Sequence, residues 1–237
     1  MRLIVGADAP AAARLASDEV ARACTAAIAE RGRALVAFSG GETPWLMLGA
    51  LRERDLPWRS IHVTQVDERV VPAGDARRNL TRLDELLVRD GPLPAENLWP
   101  MPVEAQPIEA AAAGFQAALE AQFGRPLRFD LVQLGLGTDG HTASLVPDDP
   151  VLHVADREVA VSAAYQGTPR MTLTFPALSR ARERLWLVTG ASKIAPLARL
   201  LAGTGDAPAA RVSRENTTVV ADRAAAPSPA GSGRGLE

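Results

Sequence analysis

The chain has 237 residues, a formal net charge of −2, 47% hydrophobic residues and 23% charged residues. That composition is an ordinary globular one and suits a sizeable core, and near-neutral charge argues against a nucleic-acid partner, which would call for a basic face. No apolar run approaches the roughly 20 residues that span a bilayer, the apolar patch near the start is too short for a signal-peptide core, and the single Cys24 excludes a disulfide framework or cysteine-rich zinc site. A cytoplasmic enzyme with no nucleic-acid and no membrane partner is the expectation.

Strand and helix signals alternate along the chain. Residues 2–5 read as a short strand. Asp8 and Pro10 then read as cap and first turn of an Ala-rich helix that runs to about residue 30, with Gly32 as its stop. Residues 34–38 are continuously apolar, which predicts a strand covered on both faces. A helix follows from Thr43-Pro44 to about residue 54, then a strand at 61–66. Asn79 reads as the cap of a helix to about residue 88. The proline-rich stretch 92–107 reads as irregular, with a short strand near 97–101, and 108–123 is helical by composition. Strands are predicted at 129–134, 158–163, 171–175, 184–189 and 217–221, with a helix from Ser192 to about residue 201. This order predicts an α/β fold of Rossmann-like, three-layer type, with helices on both faces of a mostly parallel sheet. Residues 1–226 form one expected domain, and the Pro/Ser/Gly-rich stretch 227–237 an expected disordered tail.

In open α/β sheets ligands sit beyond the carboxyl ends of strands, and four strand ends carry unusual sequence. Ser39-Gly40-Gly41-Glu42-Thr43-Pro44 combines a bendable small-residue loop with a helix start, a plausible phosphate cradle; the alternative is a tight turn. It is neither a Walker loop nor a nucleophile elbow. Asp67-Glu68-Arg69 places three charges directly after an apolar strand. Charge pattern alone favours surface ion pairing there, whereas the strand-end position favours a ligand. Gly135-Leu136-Gly137-Thr138-Asp139-Gly140-His141 contains a formal GxGxxG, but no long helix follows, and the acidic residues Asp156 and Glu158 begin a strand rather than end one. A dinucleotide site is therefore disfavoured. His141, two residues after Asp139, suits a general base oriented by a carboxylate. Thr189-Gly190-Ala191-Ser192-Lys193 adds a cation at a fourth strand end. All but one of the 26 basic residues are arginine, and Lys193 is the exception; a compact ammonium suits close contact with a phosphate. Arg170 could supply a second such contact. His62 reads as structural, His153 as exposed and Cys24 as core. No metal-ligand spacing occurs, so no metal is expected.

SGGETP, VDERVVP, LGLGTDGHTASL, PRMTLT and TGASK occur in this order across residues 3–222, and together they resemble the 6-phosphogluconolactonase family. The wider superfamily includes glucosamine-6-phosphate deaminase and ribose-5-phosphate isomerase. The resemblance implies a cofactor-free hydrolase that opens 6-phospho-D-glucono-1,5-lactone by His-assisted attack of water, with a small sugar-phosphate lactone as its partner. His141, Asp139 and Arg69 are the implied catalytic residues; Ser39, Gly40, Gly41, Thr43, Asp67, Arg170 and Lys193 are the implied substrate and phosphate contacts. The chain departs from the family pattern at Glu42, where the loop usually has Ser, and at Arg78, where Ser often precedes the Asn. Both put phosphate and sugar contacts in question. Two rivals stand beside the lactonase. One is a deaminase or isomerase on the same scaffold, disfavoured because the resembling deaminases carry a carboxylate near Ser144-Leu145-Val146 and an aromatic where Arg69 stands. The other is a non-catalytic sugar-phosphate sensor, for which no residues remain to form a DNA-binding domain. Monomer and dimer are equally compatible with the sequence.

Overall fold

A computed structural model describes residues 1–227, so the expected tail lies outside the described residues apart from Pro227. Seven strands form one fully parallel sheet. They are β1 (Arg2–Gly6), β10 (Thr217–Asp222), β9 (Glu183–Val188), β6 (Leu131–Leu134), β2 (Ala34–Phe38), β3 (Ile61–Gln65) and β5 (Leu98–Trp99), in that spatial order. Helices cover both faces, and a separate buried cluster fills each interface. One cluster packs α1 (Ala9–Arg31) and α2 (Glu42–Arg52) against the sheet; the other includes α4 (Ile108–Phe123) and α6 (Ile194–Ala202). The central strands β2 and β6 are buried at every position, which is why their sequences are unbroken apolar runs rather than alternating ones.

Local signals account for the element ends. The Asp8 carboxylate accepts from the Ala11 N–H, Pro10 occupies the first turn of α1, and Gly32 closes the helix at φ 75° with its N–H on the Ile28 carbonyl. Two short helices, α5 (Phe175–Arg180) and α7 (Pro208–Arg211), were not anticipated by the periodicity. Among the described residues no helix is long and apolar enough to cross a membrane.

The structure departs from the expected single alternation in one important respect. The strand pair expected at 158–163 and 171–175 does not enter the parallel sheet. It forms β7 (Val159–Tyr165) and β8 (Thr168–Leu173), antiparallel to each other, and β8 pairs with the three-residue β4 (Asp67–Arg69) in a second sheet of order β4-β8-β7. Asp67, Glu68 and Arg69 therefore form a strand of their own instead of a loop.

Candidate active site

The carboxyl ends of β2, β6 and β9 meet the small sheet at a cleft of about 190 Å³, lined by Ser39, Gly40, Asp67, Arg69, Asn79, Gly135, Leu136, Gly137, His141, Ala143, Arg170 and Lys193. Seven of the ten residues singled out from the sequence are in this lining. Asp139 lies directly behind it, joined to His141. Gly41 and Thr43 are outside the lining; Gly41 is exposed and the Thr43 hydroxyl is engaged with the Thr189 hydroxyl at 2.6 Å, tying the start of α2 to the end of β9. A larger groove of about 750 Å³ at the opposite end of the sheet is lined by Arg2, Arg22, Arg31 and Arg182. Those guanidinium groups are paired with Glu19, Glu183 and Asp130, and no histidine faces it.

His141 Nδ1 lies 2.6 Å from Asp139 Oδ1, which also accepts the His141 backbone N–H at 3.1 Å. An ionised carboxylate is an acceptor only, so the bond places the imidazole proton on Nδ1 and leaves Nε2 as a free base. Partial burial pushes the Asp139 pKa up, but the N–H and ring of His141 more than offset this, and the carboxyl is held below its usual range. The pair folds back over Gly137. A Cβ there would lie 2.1 Å from His141 Nδ1 and 2.4 Å from Asp139 Oδ1, so only glycine admits the dyad.

Three cations share the cleft. Arg69 NH1 donates to Asn79 Oδ1 at 2.6 Å and to the Arg77 carbonyl at 2.8 Å. Asn79 in turn donates to the Asp67 carbonyl at 2.9 Å and occupies the space that a side chain at residue 40 would need, since a Cβ on Gly40 would lie 1.9 Å from its Oδ1. Arg170 is 6% exposed. Burial pulls its pKa below the guanidinium norm, with Asp67 opposing. The Asp67 carboxylate is 3.9 Å away and accepts from the Ser144 hydroxyl at 2.6 Å. The Arg170 Nε is buried without any hydrogen-bond partner, and such an orphan is costly unless a ligand satisfies it. Lys193 is half-buried in the turn after β9, where desolvation lowers its pKa and the charge of Asp139 opposes the shift.

Several sequence readings need correction. Surface ion pairing does not describe the charged strand: Glu68 is fully buried and Asp67 nearly so. The Glu68 carboxylate accepts from the N–H groups of Arg69, Asn79 and Leu80 and from Gln65 Nε2, all between 2.7 and 2.9 Å. It thereby caps α3 (Asn79–Asp84), which continues as a π-helical turn, Glu85–Arg89. Asn79 is the first helical residue, not the cap, because a carboxylate from β4 takes that role and frees the amide for Arg69. The Ser39 hydroxyl donates to the Gln133 carbonyl at 3.0 Å, so Ser39 shapes the loop and offers lone pairs to the cleft. The departures at Glu42 and Arg78, which put substrate contacts in question, leave the cleft clear. Glu42 is exposed in the first turn of α2 and outside the lining, and buried Arg78 donates to the Val71 carbonyl and faces Glu68 and Glu104. The sequence reading missed Asn79 and Glu68 as parts of the site; their signal, polar residues at a strand end and at the next helix start, was present but Glu68 was assigned to surface ion pairing and Asn79 to helix capping. His62 is structural, with Trp99 Nε1 at 3.4 Å and Phe123 against its ring; Cys24 is buried and His153 exposed.

Residues 7–221 match the family model described as glucosamine-6-phosphate isomerases/6-phosphogluconolactonase. A 6-phosphogluconolactonase of Synechocystis sp. is 43% identical over 188 residues, 77% of each chain. The crystal structure of 6-phosphogluconolactonase from Thermotoga maritima superposes with a TM-score of 0.82 at 28% identity, covering 93% of this chain and 98% of that one. A monomeric glucosamine-6-phosphate deaminase of the NagB superfamily reaches the same TM-score, 0.82, at 16% identity over 95% of this chain and 98% of its own, a likeness of fold alone. The chain belongs to the glucosamine-6-phosphate isomerase/6-phosphogluconolactonase family.

Proposed function

We propose that the chain hydrolyses 6-phospho-D-glucono-1,5-lactone to 6-phospho-D-gluconate, the lactone-opening step of the oxidative pentose phosphate pathway, with residues 1–226 acting as one cytoplasmic unit. The observation that carries this reading is the His141–Asp139 pair opening onto a cleft shared with Arg69, Arg170 and Lys193. A lactone carbonyl needs a nucleophile, charge stabilisation at the carbonyl oxygen and a proton for the departing ring oxygen. No side-chain hydroxyl in the lining is paired with an imidazole, so water is the nucleophile. His141 Nε2 takes a proton from that water as it attacks the carbonyl carbon. Asp139 holds the ring and stabilises the imidazolium that forms. The tetrahedral intermediate then collapses, its carbon to ring-oxygen bond breaks, and the imidazolium returns the proton to the ring oxygen.

Arg69 supplies positive charge for the developing oxyanion. Arg170, with its unpartnered Nε, and Lys193 hold the 6-phosphate, with Ser39 and Gly40 closing one side. These contacts add binding energy remote from the reacting carbon. A deaminase on this scaffold is less well supported: where the resembling deaminases carry a carboxylate, Ser144 is buried with its hydroxyl on Asp67, and Arg69 stands in the place of an aromatic. Proton release on freshly generated lactone, corrected for spontaneous hydrolysis, tests the activity against ammonia release from glucosamine 6-phosphate. His141→Asn should lower kcat by about 100-fold or more while the protein folds normally; wild-type turnover in that variant would remove His141 from the mechanism.

A further inference from the structure

The small antiparallel sheet turns one face to the cleft. Directly opposed residues on neighbouring strands share a face, and so do residues two apart on one strand. Arg69 pairs with Arg170, and Arg170 with Ser162, so Asp67, Arg69, Arg170, Thr172 and Ser162 all lie on that face. Met171, Leu173 and Val159 lie on the other, in the core. Strict alternation from Ser162 would put residue 164 on the cleft face and Tyr165 on the core face. It does not, because the register of β7 against β8 shifts between Ser162 and Tyr165, and Tyr165 pairs with Thr168. Thr168 shares a face with Arg170. The bulge therefore re-aims Tyr165, the single tyrosine of the chain, onto the cleft side.

The turn that follows reinforces this placement. Gln166 and Gly167 both have positive φ, 53° and 79°, the two-residue geometry that closes a tight hairpin, and Gln166 Oε1 accepts from Arg170 NH2 at 3.3 Å. Tyr165 does not itself line the cleft, but it touches two residues that do. Its ring meets the His141 ring edge-on, centroids 5.5 Å apart at 61°, and the Arg170 guanidinium carbon stands 5.0 Å from its centroid. One half-buried ring thus backs both the base and a buried cation whose Nε has no partner.

We propose that Tyr165 is a positioning residue that fixes the His141 ring for proton transfer and the Arg170 guanidinium for the substrate's phosphate, and that the β7 bulge exists to bring it there. The proposal rests on the lactonase reading, and its two arms separate from that reading. Asp139 holds the His141 backbone N–H but restrains the ring itself only at Nδ1, so without the aromatic edge the imidazole can swing about that bond and Nε2 loses its aim at the water. Arg170 has a distant carboxylate and one amide as its other partners, so the π-face is a principal restraint on its plane.

The test uses Tyr165→Phe and Tyr165→Leu, the latter filling the space without a π-face, with Tyr165→Ala as a further variant. Folding is checked by circular dichroism and thermal melting. The leucine variant should lower kcat by on the order of 10-fold and raise KM for the phosphorylated lactone by about 5-fold, and phenylalanine should restore both to within about twofold. Calorimetric binding of 6-phosphogluconate should weaken by a similar factor in Tyr165→Leu, but not when the substitution is made on an Arg170→Ala background, because the coupling partner is then gone. Unchanged kcat and KM in a folded Tyr165→Leu protein would overturn the proposal, as would equal weakening of product binding with and without Arg170. Failure of the wild-type protein to open the lactone would instead refute the lactonase reading, and the binding arm would still judge Tyr165.

Discussion

Replacing Glu68 by glutamine tests whether a residue outside the cleft lining holds the site together. The fully buried carboxylate receives four donors: Oε1 takes the N–H groups of Arg69 at 2.8 Å and Asn79 at 2.9 Å, and Oε2 takes Leu80 N–H at 2.7 Å and Gln65 Nε2 at 2.9 Å. Arg78 Nε lies 3.4 Å from Oε2 and is itself buried. An amide of the same shape keeps one acceptor oxygen and turns an NH₂ toward the remaining two donors, whichever way it flips. Two charge-assisted bonds at roughly 1.5–3 kcal/mol each give about 3–6 kcal/mol, and breaking a buried ion pair falls in the similar range of roughly 3–5 kcal/mol. A loss of about 4 kcal/mol is a large share of a typical total of roughly 5–15 kcal/mol. Urea unfolding should show it as a lowered midpoint. Because the intact carboxylate ties Arg69 to the start of α3 through Asn79 and Leu80, and either flip of the amide breaks that tie on one side, kcat/KM for the lactone should fall by about 10-fold or more even under conditions where the protein is folded. Glu104→Gln is the control, since Glu104 faces the same Arg78 from an exposed position and should cost under about 1 kcal/mol. A Glu68→Gln protein within 1 kcal/mol of wild type would show that the buried carboxylate is dispensable and refute the reasoning.

Lys193→Ala should raise KM for the phosphorylated lactone by about 10-fold or more, with an unphosphorylated lactone affected less than about twofold; equal changes for both substrates would remove Lys193 from the phosphate site. His62 offers a pH test of stability. Burial among Trp99 and Phe123, together with the nearby charge of Arg33, lowers its pKa in the folded chain. The unfolded chain then binds a proton that the folded chain refuses, so this contribution is complete above the unfolded value of roughly 6.5 and is lost as pH falls from there toward the depressed folded value. The melting temperature should therefore drop over that interval, and His62→Gln should flatten the drop. An unchanged pH profile in His62→Gln would show that His62 is not its source.

The legible parts of the fold are those whose cause is local or whose burial is complete. The unbroken apolar run Ala34–Phe38 could only be a strand covered on both faces, and it is. Asp8, Pro10 and Gly32 bounded α1 because each acts on backbone groups a few residues away. Within the site, the pairing of His141 with Asp139 was legible because a single residue, Gly140, separates them. Glu68 was not, because its partners Asn79 and Leu80 lie eleven and twelve residues on, and a carboxylate after an apolar strand is ordinarily solvated. The second sheet was hidden for the same reason. Its three-residue strand Asp67–Arg69 pairs with a segment about a hundred residues later, too short and too charged for periodicity to register. Tyr165 was least legible of all, since the face it occupies depends on a register shift that no alternation pattern encodes.

The two sheets make different contributions to one cleft. The parallel strands end in loops, which can curl small residues and a histidine around a ligand but leave long charged side chains free to swing. Arg69 and Arg170 instead project from a sheet face, where opposite pairing fixes their spacing, burial holds the rotamer of Arg170 and bonds to Asn79 and the Arg77 carbonyl hold that of Arg69. Two like charges held this close repel, and the arrangement is tolerable because Asp67 on the same face and Asn79 from α3 divide them. Gly40 and Gly137 are the joints between the two systems. Each lacks the one atom that would collide with a side chain from elsewhere, Asn79 in the first case and the His141–Asp139 pair in the second. Glycine at these positions lets a rigid array of charges approach the strand ends of the parallel sheet closely enough to share a single small substrate.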